Sequence, residues 1–185
     1  MKITNYHEDK YLIPRACKTA RLSWDAEHKS DSTDVELGEA DKKLMIKLAK
    51  AGSDHSAAFR QCVVHFRVKG SRGWWQHVAK YRIGVEMYSS SLMHTGTRQE
   101  YSQKMFRHEI PTELIDALNR YAVEKNLEAL TNIMPEGYLQ ERSMMMSYPA
   151  MRSIYQSRAK HRKPEWREFL EQLVDLVDCP EYLLS

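Results

Sequence analysis

Cations followed by clustered hydroxyls mark the part of this 185-residue chain where residue types alone suggest chemistry. Between Lys69 and Met93, Gly70 and Gly73 bracket Ser71 and Arg72. Trp74, Trp75, Gln76, His77, Lys80, Tyr81 and Arg82 follow, and beyond Gly84 come Ser89, Ser90 and Ser91. Ammonium and guanidinium groups at turn spacing can hold an anion, arginine doing so through two parallel hydrogen bonds. Serine hydroxyls beside them could hydrogen-bond a reacting group. The same residues equally describe an amphipathic helix running into a polar strand, because basic side chains suit a helix C-terminus with or without a ligand.

Toward the end of the chain Arg152, Arg158, Lys160, Arg162 and Arg167 add cations of the kind that favour phosphate or nucleotide ligands; a solvated basic face is the plainer reading. Trp74, Trp75, Tyr81, Tyr155 and Trp166 are interleaved with them and suit either stacking on a base or flavin ring or burial in a core. Other catalytic patterns are missing. The chain has no GxxxxGK[ST], no GxGxxG, no HExxH and no GxSxG. No Cys/His spacing resembles a zinc signature, so no metal is expected.

The elements that must position these residues follow from periodicity. Ala16–Trp24 is the ordered piece of residues 1–38, and His28–Asp34 reads as a loop. Glu39–Lys50 has helical spacing closed by Gly52. In Phe59–Lys69, Cys62, Val64, Phe66 and Val68 alternate with Gln61, Val63, His65, Arg67 and Lys69, which predicts a strand with one buried face. A helix is expected over Trp74–Arg82, a short strand over Val85–Met93 and a polar helix over Thr97–His108. A long helix from Pro111 should be broken at Met134-Pro135-Glu136-Gly137. Met144–Met146 suits adaptable packing. Helices over Ala150–Arg162 and from Pro164 close the chain, the last with Trp166, Phe169, Leu170, Leu173, Val174 and Val177 on one face.

Length predicts one α+β domain over residues 1–185. No apolar run approaches a membrane span, and the N-terminus lacks a signal-peptide core. Cys17, Cys62 and Cys179 are widely separated, which points to buried thiols in a reducing cytoplasm. A net charge of +3 is too small to argue for non-specific nucleic-acid binding, so a nucleic-acid-binding role for the basic C-terminal helices ranks last.

The order of these pieces resembles the flavin-dependent thymidylate synthases. Ala20-Arg21-Leu22-Ser23 is similar to that family's AAR-S segment, and Gly52-Ser53-Asp54-His55-Ser56 to its gH-s turn. Phe66-Arg67-Val68-Lys69-Gly70-Ser71-Arg72 is similar to its strand ending in G-x-S-R. Lys80-Tyr81-Arg82 stands where the signature RHR belongs, and Ser90 where the signature serine should fall. Met134-Pro135, Arg158 and Glu165-Trp166-Arg167 resemble the LP break and the closing R…EIR helices. Lys80 and Tyr81 depart from the signature, as do Met87-Tyr88, Leu92-Met93, Ser147, Pro149 and Arg162-Lys163.

The resemblance implies a central mixed or antiparallel sheet flanked by helices, with a helical C-terminal part. It implies FAD, with NADPH and methylenetetrahydrofolate as co-substrates, and methylation of dUMP at C5 by a homotetramer with sites at subunit contacts. His55, Ser71, Arg72, His77, Lys80, Tyr81 and Arg82 would contact flavin. Gln76, Lys80, Ser89, Ser90, Ser91, Arg158 and Arg167 would contact nucleotide, with Arg82 and Ser90 nearest the chemistry. The departures leave open a relative that binds a nucleotide without turning it over.

Overall fold

Four antiparallel strands carry the molecule, in the spatial order β1-β2-β4-β3. The computed structural model describes residues 1–52 and 54–185, so Ser53 of the predicted gH-s turn lies outside the described residues. Strand β1, Lys2–Glu8, was not expected from the sequence. Its register shifts between Thr4 and His7 and Asn5 takes a left-handed φ of 50°, so no clean alternation survives. Helix α1, Leu12–Arg21, precedes two 3-10 turns, the second of which, Glu27–Lys29, enters the predicted loop. Helix α2, Glu39–Ala51, matches expectation.

The segment expected as one strand from Phe59 divides. Asp54–Gln61 is 3-10 helix, and β2 is Val63–Ser71. Val64, Phe66 and Val68 are buried and His65, Arg67 and Lys69 exposed, as the alternation requires. A Cβ on Gly70 would lie 2.7 Å from the Trp74 ring, so glycine lets the indole pack against the strand.

Helix α3 is shorter than predicted, Arg72–Val78, and Lys80-Tyr81-Arg82 lies beyond it in a turn. Strand β3 covers Val85–Ser89, leaving Ser90 past its end and Ser91 as N-cap of α4, Leu92–Thr95. Thr97–His108 is not a helix; it holds only the 3-10 turns Gly96–Arg98 and Gln103–Met105. The long helix is two, α5 Thr112–Val123 and α6 Leu127–Ile133, parted where Lys125 adopts a φ of 56°.

Strand β4, Leu139–Ser147, also escaped the sequence reading, although it lies between β2 and β3. Its inward side chains are Arg142, Met144 and Met146, and Met145 between the buried methionines hides the alternation. Helices α7 Tyr148–Arg158, α8 Pro164–Leu176 and α9 Pro180–Leu184 follow; the last was not anticipated.

The main core lies on one side of the sheet, where Val64, Phe66, Met144 and Met146 meet Trp74, Trp75, Trp166 and Phe169. The other side, with Lys2, His65, Arg67, Lys69, Ser143 and Tyr88, is exposed. A smaller core around Tyr101, Leu118, Leu130 and Tyr138 belongs to the helical segment between β3 and β4. Arg107 ties that segment to α8 through Glu168. Among the described residues no helix is long and apolar enough to cross a membrane, and no group of three His, Cys, Asp or Glu could hold a metal.

Candidate functional site

The end of α3 and the turn between α7 and α8 meet in a cluster of cations and rings. Ser71 sets the first arm. Its hydroxyl caps α3 by accepting from the Trp74 N–H at 3.1 Å and donates to Glu165 Oε2 at 2.9 Å, while its own N–H donates to Glu165 Oε1 at 3.0 Å. Glu165 stands in the first turn of α8 and also pairs with Lys163 Nζ at 3.0 Å. Burial opposes its charge. The Ser71 N–H, the Lys163 ammonium and the Ser71 hydroxyl outweigh that and hold the carboxyl below its usual range. One buried carboxylate thus locks the start of α3 to the start of α8.

Tyr81 and Arg158 form the centre. Arg158 Nε donates to Tyr81 Oη at 2.6 Å, and its guanidinium lies over the Tyr81 and Trp166 rings, 5.5 and 5.4 Å from their centroids. Arg158 has no ion pair among the described residues. It is therefore oriented by neutral groups.

Beside it His77 and His161 meet edge to face, centroids 5.5 Å apart, and His161 also touches Trp166. Burial first, then His161, Lys163, Arg158 and Lys80, push the His77 imidazole below its ordinary range. Burial, Arg158, Arg162 and Lys163 do the same to His161. Burial and the surrounding positive charge act in the same direction on both rings.

The structure thus brings His77, Tyr81 and Arg158 together, with Lys80 beside them. Lys80 and Arg82 are exposed, and Arg82 Nε reaches only the Ala79 carbonyl, at 3.4 Å. Arg72 is turned inward, donating to the Met134 carbonyl at 2.8 Å. Gln76 donates to both oxygens of Glu136 at 3.1 Å.

Other expected residues lie elsewhere. His55 lines a cavity of about 740 Å³ together with Ala20, Arg21, Ser23 and the exposed Trp24, so two motifs far apart in sequence share one hollow. Arg167 borders a separate hollow of about 500 Å³ with Tyr155 and Glu171. Ser89 and Ser90, at the tip of β3, make no side-chain hydrogen bond among the described residues; Ser91 accepts from the Met93 N–H. The three thiols are buried, with Cys62 and Cys179 pushed up to about 12, so none is a nucleophile.

Sequence reasoning missed His161 and Lys163 as site residues, since both sat inside a run that reads as solvated charge. It also missed Arg142, which faces inward from β4 opposite Ser89. The Arg142 guanidinium lies 4.6 Å over the Trp75 ring, its Nε is buried without a partner, and burial lowers its proton affinity. No periodicity signals a cation on a core face.

No protein-family model matches the sequence, and no curated protein sequence does either. Solved structures do match over nearly the whole chain. Thymidylate synthase X (ThyX) from Helicobacter pylori, solved with FAD and dUMP, superposes with a TM-score of 0.76 at 18% identity, over 99% of this chain and 97% of that one. A second structure of flavin-dependent ThyX from the same organism, complexed with FAD and dUMP, gives 0.74 at 19%, with the same coverage. The UMP/dUMP methylase PolB from Streptomyces cacaoi, bound with 5-Br dUMP, gives 0.68 at 13%, over 98% and 94%. A shared core pattern survives at such identities where surface and site residues do not. The chain has the fold of the flavin-dependent thymidylate synthases.

Proposed function

We propose that the protein is a flavin-dependent enzyme acting on a uracil nucleotide, most simply the methylation of dUMP at C5 with methylenetetrahydrofolate and NADPH. The observation that carries this reading is Arg158, a cation without an ion pair among the described residues, oriented by Tyr81 and Trp166 beside His77. The donor set suits the phosphates of FAD or of a nucleotide, and an aromatic wall stands next to it.

FAD, when bound, supplies the redox chemistry. Lys80, Arg82 and Arg158 would hold phosphate. Ser71 and Arg72, whose side chains are engaged within the fold, would support the flavin site by fixing α3. His55, with Arg21 and Ser23 in the larger cavity, would line the flavin ring. Gln76, Ser89, Ser90 and Ser91 would hydrogen-bond the nucleotide, Ser90 as a donor, and Arg82 would polarise the uracil. Arg167 would reach nucleotide held by another copy.

His55, the Arg158 cluster, the β3 tip and Arg167 stand apart in one chain, which supports a site completed by neighbouring subunits in a homotetramer. A single domain over residues 1–185 and a cytoplasmic setting belong to the same proposal.

The absorbance spectrum of the purified protein tests it: an oxidised-flavin band supports it, and a colourless protein that gains no flavin on incubation overturns it. A monomer in light scattering would overturn the tetramer. A second reading, a nucleotide-binding relative without turnover, is favoured by Tyr81 standing in the signature and being occupied with Arg158. Thermal stabilisation by dUMP with no product would separate the two.

A further inference from the structure

The two histidines of the cation cluster are not equivalent. His161 Nδ1 accepts from the Lys163 N–H at 3.0 Å, which leaves the ring proton on Nε2 and makes protonation of Nδ1 cost a backbone hydrogen bond. His77 makes no side-chain hydrogen bond among the described residues, and both of its nitrogens are free.

The charged side chains acting on the pair come from each element around it: Lys80 after α3, Arg158 at the end of α7, and Arg162 and Lys163 in the turn before α8. The carboxylates bordering the cluster are engaged, Glu165 with Ser71 and Lys163 and Glu136 with Gln76. Without an added anion, burial and then these cations disfavour the His77 imidazolium. A dianion placed among them reverses the sign of the local potential and favours the imidazolium.

We propose that this cluster is a proton-linked anion site for a phosphate-monoester-like dianion, seated between Lys80 and Arg158 while Lys163 stays paired with Glu165, with His161 a neutral Nε2–H donor and His77 taking up one proton from solvent as the anion arrives. No covalent step is involved. The proposal rests on the nucleotide and flavin reading above and names the proton coupling of its anionic group.

Sulfate is the probe, because it is a dianion that does not titrate near neutral pH. Ring resonances of the eight histidines would be followed by NMR across pH, with sulfate and with chloride at equal ionic strength. Sulfate, but not chloride, should raise the His77 pKa by about one unit, leave His161 as the Nε2–H tautomer, and bind about threefold more tightly at pH 6 than at pH 8. In His77→Gln that pH dependence should disappear while folding is retained. An unmoved His77, an equal shift of all eight rings, or sulfate affinity independent of pH overturns the inference. A protein that binds FAD or dUMP while sulfate leaves His77 unmoved refutes this inference alone. A sulfate-linked His77 in a protein that takes no flavin refutes the functional reading alone.

Discussion

Arg158 donates to the Tyr81 hydroxyl at 2.6 Å across the gap between the end of α7 and the turn after α3. The contact joins two pieces that the sequence presents separately, and it places a cation over the indole of Trp166. Tyr81→Phe removes the hydrogen bond and keeps the ring. Because Arg158 is partly exposed, about 1 kcal/mol of stability should be lost. Affinity for FAD or dUMP should fall about five-fold as Arg158 loses its orientation. Thermal melts and binding titrations check this; unchanged affinity would show that Tyr81 does not orient the cation.

Glu168 links the helical segment and the N-terminus to α8. The Arg107 guanidinium lowers its carboxyl to about 2 against the opposition of burial, and the Met1 ammonium, 2.8 Å away, assists. A depressed folded pKa contributes stability that is complete above the ordinary value near 4.5 and disappears as pH falls toward 2. Glu165, also held low, acts in the same direction. Glu168→Gln should therefore be less stable than the parent at pH 6 by about 1 kcal/mol, since Glu168 is about one-third exposed. Melting curves at successive pH values should converge near pH 2, and curves that stay parallel would contradict the assignment.

Asp41 is fully buried in α2 and accepts from Arg21 Nε at 2.7 Å and Nη2 at 2.6 Å, from Ser32 Oγ at 2.7 Å and from Ser30. Asp31 fastens the same loop by accepting from the N–H groups of Ala40 and Asp41. Asp41→Asn should cost about 2 kcal/mol, because it leaves the half-buried Arg21 guanidinium without its counter-charge and places an amide in a fully buried site built for a carboxylate. It should also open residues 22–38 to protease and disturb the cavity containing His55. Urea unfolding with limited proteolysis measures both, and a loss under 1 kcal/mol would exclude the role.

Arg142 has no ion pair among the described residues, and its buried Nε lacks a partner. Arg142→Met should hold or raise stability by about 1 kcal/mol, since a flexible apolar side chain can fill the place of an uncompensated charge. A denaturant midpoint that drops substantially would mean that the indole contact with Trp75 outweighs the desolvation.

Much of the scaffold was legible in the residues because burial on one face leaves a period. Val64, Phe66 and Val68 marked β2, and the spacing from Trp166 to Leu173 marked α8. The signal failed where the periodicity was interrupted. Asn5 breaks the alternation of β1, and in β4 a central strand carries Arg142 inward with three methionines in succession. The reading of Thr97–His108 as helix failed because Tyr101 and Phe106 are buried from a non-helical backbone by contacts remote in sequence.

By itself the sequence determined the cationic turn, the serines after it, the basic run near the end and the resemblance in motif order. Tertiary structure alone decided which of these meet. Glu165 draws the starts of α3 and α8 together, and that docking sets Arg158 against Tyr81 and His161 against His77. It also leaves Ser90, His55 and Arg167 outside the cluster. A run of charge looks the same in sequence whether it faces water or another element, because only packing removes the water between groups that the chain separates.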